Sequence, residues 1–161
     1  MVVSESVLKW ALRCYPPLLL QRIWVIQFEK GFRGVQVKIA KSLLNKNYNN
    51  SIFGGTIFAA ADPFYPVLFH QIFIHKGYKV IAWSKSSEIQ YIKPGITDLY
   101  FKINITEAEV NEAEEILNTT GKYIKYHPIE IYDQHGEVCV SVKNEVYIRN
   151  LNYTEHAHNN E

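Results

Sequence analysis

Two hydrophobic rhythms alternate along the chain, one with the period of a strand and one with that of a helix. Ile23–Lys30 (IWVIQFEK) and Gly34–Ala40 (GVQVKIA) alternate apolar and polar residues around a glycine-containing turn, which predicts a β-hairpin. The run Asn45–Ser51 (NKNYNNS) is too rich in Asn for either element. Gly54-Gly55 then opens a long apolar run to His75 that reads as a buried helix, kinked by Pro66 and closed by Gly77. Lys79–Trp83 and Ser87–Ile92 read as one long strand with an irregularity near Ser84, and Asp98–Ile105 alternates strictly after a Pro94-Gly95 turn. Thr106 and Glu109 have capping-box spacing and predict a helix with five Glu to about Asn118. Lys122–Tyr132 and Val138–Ile148 are two more alternating strands, joined through Asp133–Gly136. Ahead of all this, Ser4 or Ser6 caps a helix over about 5–14, with Val7, Trp10, Ala11 and Cys14 on one face, ended by Pro16-Pro17.

The order is helix, two strands, buried helix, two strands, acidic helix, two strands. No repeat or linker divides it. The expected class is α+β, a six-stranded antiparallel sheet wrapped around one central helix. Residues 1–21 read as an N-terminal helical extension, 22–150 as the domain and 151–161 as a disordered tail. A frayed terminus accounts for His156 and His158 more simply than a metal site does.

Composition narrows the function classes. The chain has 161 residues, 47% of them apolar, with 17 Lys+Arg against 16 Asp+Glu. That balance fits one domain and argues against disorder and against a general nucleic-acid surface. Cys14 and Cys139 form no CxxC or zinc spacing, so free thiols and a cytoplasmic location are expected. Val7–Val25 is broken by Lys9, Arg13, Pro16, Pro17 and Arg22, which is not a signal-peptide pattern. Ile52–Phe69 contains Asp62, Pro63 and Pro66, so no membrane span is expected; a peripheral role for the amphipathic N-terminus stays open.

The near-zero net charge hides a split. Residues 1–61 carry eight basic residues (9, 13, 22, 30, 33, 38, 41 and 46) and two acids (5 and 29), a net +6. The remaining residues carry nine basic and fourteen acidic residues, a net −5. Either the acidic helix alone makes this asymmetry, or the first third presents a basic face to an anionic ligand.

Candidate chemistry concentrates between Asn47 and Pro63. A glycine pair opening a helix lets a ligand approach the free N–H groups of the first turn, whose dipoles stabilise a developing oxyanion. The same glycines also suit close packing of the helix on a sheet. Asp62 stands on an otherwise apolar helix. It reads either as a general base or nucleophile, or as the cap of a helix restarted at Pro63. Elsewhere the structural readings dominate. His70 and His75 do not share a helix face, His127 reads as a satisfied sheet residue and Cys139 as packing, so no metal site or cofactor is expected.

The segment Asn47, six residues, Gly54-Gly55, then Asp62 eight positions after Gly54 resembles the signature of hotdog-fold acyl-CoA thioesterases of the phenylacetate-pathway type. Ser87–Gly95 is similar to the strand and Pro-Gly turn that follow the helix there, and the likeness covers roughly residues 22–149. It extends to a thioesterase-like branch with an added N-terminal helix, an Asn-rich loop, FGG and DPFY. Phe53 stands where active members usually carry His, and residues 1–69 contain no His.

The resemblance implies a hotdog fold and hydrolysis of an acyl-CoA or acyl-carrier-protein thioester. Eight helical residues span ~12 Å, too far for Asp62 to serve its own glycine pair. In the resembled family the two groups meet across a homodimer interface, and a dimer of dimers is the larger assembly expected. Gly54 or Gly55, with Asn47, would hold the thioester oxygen, while Asp62 of the partner activates water or attacks directly. Ser51, Phe53, Thr56 and Lys85 are the substrate-side candidates, Ser51 and Thr56 toward water and Lys85 toward a CoA phosphate. Phe53 motivates the alternative, a non-catalytic acyl-binding or oligomerisation module; a dehydratase, which needs a His base, ranks last.

Overall fold

Ser4 accepts a hydrogen bond from the Val7 amide at 3.4 Å and caps α1 (Glu5–Cys14). The computed structural model describes residues 2–154; His156 and His158 lie outside them. α1 turns Leu8 and Leu12 toward the core and leaves Val7, Trp10, Ala11 and Cys14 outward. The stripe legible in the sequence is therefore the exposed one. A short helix, α2 (Pro16–Leu20), follows and buries only Leu18.

β1 (Ile23–Phe28) and β2 (Gly34–Ile39) form the expected hairpin, joined by a 3₁₀ turn in which Gly31 takes φ +68°, a backbone region that favours glycine. α1 lies along β1. Glu5 accepts from the Gly31 amide at 2.7 Å and the Arg13 Nε donates to the Val25 carbonyl at 2.9 Å. One sheet edge is thereby covered.

After the polar loop come α3 (Gly54–Ala61) and α4 (Phe64–His75), then β3 (Val80–Tyr91), β4 (Leu99–Asn104), α5 (Glu107–Thr119), β5 (Lys122–Asp133) and β6 (Val138–Asn150). The six strands make one sheet in the order β1-β2-β4-β5-β6-β3, and each neighbouring pair is antiparallel. β3 forms the other edge. Its ladder with β6 runs from Val80↔Asn150 to Tyr91↔Val140, with a register shift between Ser84 and Ser86, where the sequence suggested an irregularity.

The sheet wraps α4, which buries Phe64, Leu68, Phe69, Ile72 and Phe73 against strand residues such as Phe101, Tyr123 and Ile131. Each such side chain is worth roughly 1.5–3 kcal/mol of transfer free energy. The stretch 54–75 has the length and apolarity of a membrane span, but it is 61% buried in the fold and serves as the core helix. α5 opens with the expected capping box, Thr106 with Glu109. Three of its glutamates pair with Lys or Arg. Glu107 pairs with Arg33, Glu114 with Lys76, and Glu112 with Lys125 at 2.7 Å.

Candidate active site

The central helix is broken at Asp62-Pro63, one turn ahead of the kink expected at Pro66, and the break shapes the site. A proline has no N–H to continue the ladder, so Pro63 and Pro66 each leave a carbonyl four residues earlier without its helical donor. The carbonyl orphaned by Pro66 is that of Asp62, and the Ser84 hydroxyl of β3 donates to it at 2.8 Å. Beside it, the buried Asn144 carboxamide of β6 donates to the Ala61 carbonyl at 2.8 Å. Two strands therefore hold the break.

Asp62 itself is helical, with φ −64° and ψ −52°, and closes α3. Pro63 occupies the N-cap position of α4 with no side-chain cap, so Asp62 does not cap the restarted helix. Its carboxylate is exposed and has no hydrogen bond or ion pair among the described residues.

At the other end of α3, the N-cap is Phe53, whose carbonyl accepts from Thr56 and Ile57. The N–H groups of Gly54 and Gly55 have no acceptor among the described residues, the free donors that a helix start leaves. Gly54, Phe58 and Asp62 follow at i, i+4 and i+8, so both ends and the middle of α3 share one face. The opposite side, Thr56, Ile57, Ala60 and Ala61, is buried.

Beside Gly54 lies a cavity of about 320 Å³, lined by Asn47, Ser51, Ile52, Gly54, Ile57, Tyr91 and the Lys93–Gly95 turn. Asn47 is spent largely on its own loop. Its Oδ1 accepts from the Asn49 and Ser51 amides at 3.0 and 3.2 Å, and its Nδ2 donates to the Ser51 hydroxyl at 2.9 Å. Asn47 and Ser51 therefore act as one polar wall.

The Tyr91 hydroxyl donates to the Gly54 carbonyl at 2.9 Å, and burial raises its pKa. A β-carbon at Gly54 would lie 3.0 Å from that hydroxyl, and one at Gly55 only 2.3 Å from the Phe53 ring. Both glycines therefore answer to close approach, from two different aromatic side chains.

The remaining candidates lie apart from the cavity. Thr56 is buried under α3 and Lys85 is held by Glu145 at 3.5 Å on β3, one residue from Ser84. Sequence reasoning missed Tyr91, Ser84 as a hydroxyl donor, and Asn144. They come from strands 22 to 83 residues away from their partners, and no local motif marks them.

His127 is a buried, hydrogen-bonded residue of β5, in keeping with its reading as a satisfied sheet residue. Its Nε2 is 3.2 Å from the Tyr123 hydroxyl, it lies between the Tyr65 and Phe69 rings, and desolvation lowers its pKa to about 4.

Comparison with known structures places this arrangement in a fold family. A Pseudomonas aeruginosa protein described as a probable thioesterase superposes with a TM-score of 0.82 at 16% identity, over 93% of this chain and 98% of its own. A Haemophilus influenzae thioesterase gives 0.68 at 12% identity over 97% of both chains. The Escherichia coli PaaI protein of the phenylacetic acid degradation operon gives 0.57 at 14%, over 94% and 99%. The shared architecture is the hotdog fold. No curated protein sequence matches the chain. A family model described as a domain of unknown function, DUF4442, matches residues 4–157.

Proposed function

We propose, from the premise that this chain belongs to the DUF4442 family, that it hydrolyses an acyl thioester, carried on CoA or a carrier protein, at a site shared by two copies. One observation carries the reading. Among the described residues, a single exposed face of α3 presents two unpaired N–H groups at its start and an unpaired carboxylate at its end.

The spacing suits a two-fold interface. Two antiparallel copies of α3 related by a two-fold axis near Phe58, midway between residues 54 and 62, bring each Asp62 to the other copy's Gly54-Gly55. Phe58 is 39% exposed, and among the described residues the outer edge of β3 has no strand partner over its twelve residues. An exposed edge of that length is normally covered.

In such a site the Gly54 and Gly55 N–H groups hold the thioester carbonyl oxygen, with the Asn47–Ser51 wall on the cavity side. The Asp62 carboxylate of the partner copy takes a proton from water, and the hydroxide adds to the carbonyl carbon. The tetrahedral oxyanion then collapses, the C–S bond breaks, and the sulfur leaves with the proton returned by Asp62. The products are a carboxylic acid and a free thiol. Lys85, which follows Ser84 on β3, supplies a cation for a phosphate of the carrier, and Phe53 gives the acyl entrance an apolar wall. Thr56, being buried, acts through the seating of α3.

Assays of acyl-CoAs of several chain lengths with wild type and Asp62→Asn test the reading. Hydrolysis by wild type that is lost in the variant supports the reading. Equal rates, or no hydrolysis together with bound acyl chains, favour the alternative of an acyl-binding module, for which Phe53 in the place of a polar residue is the supporting observation.

A further inference from the structure

We infer that the corner formed by α2 and the loop at 41–46 docks on an anionic phospholipid surface. The apolar side chains there are unusually bare. Leu20 is 63% exposed, Leu43 81% and Leu44 70%, and Leu19 stands beside them. Long-range hydrogen bonds make the two segments one surface. The Asn45 carboxamide donates to the Gln21 carbonyl at the end of α2, at 2.8 Å, and to the Ala40 carbonyl at 3.0 Å. The leucines on either side of this clamp project from a rigid base, since Asn45 is itself buried.

Charge decides the occupant. Six of the eight cations in residues 1–61, Lys9, Arg13, Arg22, Lys30, Lys41 and Lys46, have no carboxylate partner among the described residues, whereas Arg33 and Lys38 are paired with Glu107 and Asp98. Arg22, Lys41 and Lys46 immediately flank the leucines in sequence. Arg13 and Arg22 are held over the Trp24 ring, at 5.9 and 5.1 Å from its centre, which fixes their charge on this side of the molecule. Protruding aliphatic side chains flanked by Arg22, Lys41 and Lys46 match a lipid interface, where the leucines enter the acyl boundary and the cations meet phosphate headgroups. A second copy of this chain would set these cations against one another.

The docking has a consequence that rests on the thioesterase reading. The loop that carries Leu43 and Leu44 continues into Asn47 and Ser51, which line the Gly54 cavity, so docking brings the segment that forms one wall of the cavity to the bilayer. A long-chain acyl thioester, which partitions into such a surface, is the substrate class this favours.

The test is sedimentation of the full chain with vesicles of phosphatidylcholine alone and of phosphatidylcholine mixed with phosphatidylglycerol, for wild type, Leu43→Asp/Leu44→Asp and Asp62→Asn. Wild type and Asp62→Asn should sediment with the anionic vesicles and stay in solution with the neutral ones, with binding lost at high salt. The leucine variant should bind about tenfold more weakly or not at all. Because these leucines are exposed, its circular dichroism should match wild type. Failure of wild type to bind anionic vesicles, or equal binding by the leucine variant, would overturn the inference. So would a leucine variant that changes only the oligomeric state, since a second copy would then cover this face. Asp62→Asn keeps the outcome separate from hydrolysis, because docking does not depend on the carboxylate.

Discussion

The Ser84 hydroxyl donates to the main-chain carbonyl of Asp62 at 2.8 Å, joining the bulge of an edge strand to the break of the central helix. The bond fills a vacancy that Pro66 creates, so the break and the strand irregularity are one device. The position of the Asp62 carboxylate depends on it. Ser84→Ala should cost about 1 kcal/mol of stability, and a larger share of thioester hydrolysis than of folding. Urea unfolding and kcat/KM measured side by side check this.

Asn144 braces the same break from inside the core, where it donates to the Ala61 carbonyl. Asn144→Leu leaves the Ala61 carbonyl without this donor and should cost about 1–3 kcal/mol. Calorimetric or urea unfolding of the variant reads the loss directly.

Tyr91 and Gly54 are fitted to each other. Tyr91→Phe removes the hydrogen bond to the Gly54 carbonyl and should lower stability by about 1 kcal/mol. Gly54→Ala forces a β-carbon toward the Tyr91 hydroxyl. The alanine should be tolerated better in the Tyr91→Phe background than in wild type, because the phenol oxygen is the nearest atom it meets. A double-mutant cycle on unfolding free energies detects that coupling.

His127 makes stability depend on pH. Its pKa lies near 4 in the fold and near 6.5 when unfolded, so between those values the unfolded chain takes up a proton that the folded chain refuses. This contribution is intact above pH 6.5 and is lost as pH falls toward 4, by up to roughly 3 kcal/mol. Urea unfolding at pH 7 and pH 5 should show it, and His127→Phe should flatten the difference.

Much of this was legible in the sequence, for a physical reason in each case. Strict alternation exposed the strands because each has one face on the core, and the Thr106–Glu109 box announced α5 by local chemistry. Gly54-Gly55 and Asp62 stood out because their residue types are costly on an apolar helix unless something requires them. The N-terminal helix stands where its cap and prolines put it, but it carries two apolar stripes, and Leu8 and Leu12 rather than Val7 and Trp10 turn to the core. What lay beyond reading were the partners from distant strands. Tyr91, Ser84 and Asn144 are ordinary strand residues until the register sets them against Gly54, Asp62 and Ala61. The same holds for Phe53, whose ring lies over Gly55 only in three dimensions.

The central claim is that the glycine pair of one copy works with Asp62 of the other, and mixed dimers test it most directly. Gly54→Pro, made in the Tyr91→Phe background to ease the crowding that a β-carbon meets there, deletes one free N–H at the first helical position after the extended Phe53. Asp62→Asn deletes the carboxylate. Each variant alone should be inactive, as a dimer that keeps its fold. Unfolded together in equal amounts and refolded, they should regain about a quarter of wild-type hydrolysis, because half the dimers are mixed and each mixed dimer has one intact site of two. No recovery in refolded mixed dimers, while wild type treated the same way regains full activity, would contradict a shared site.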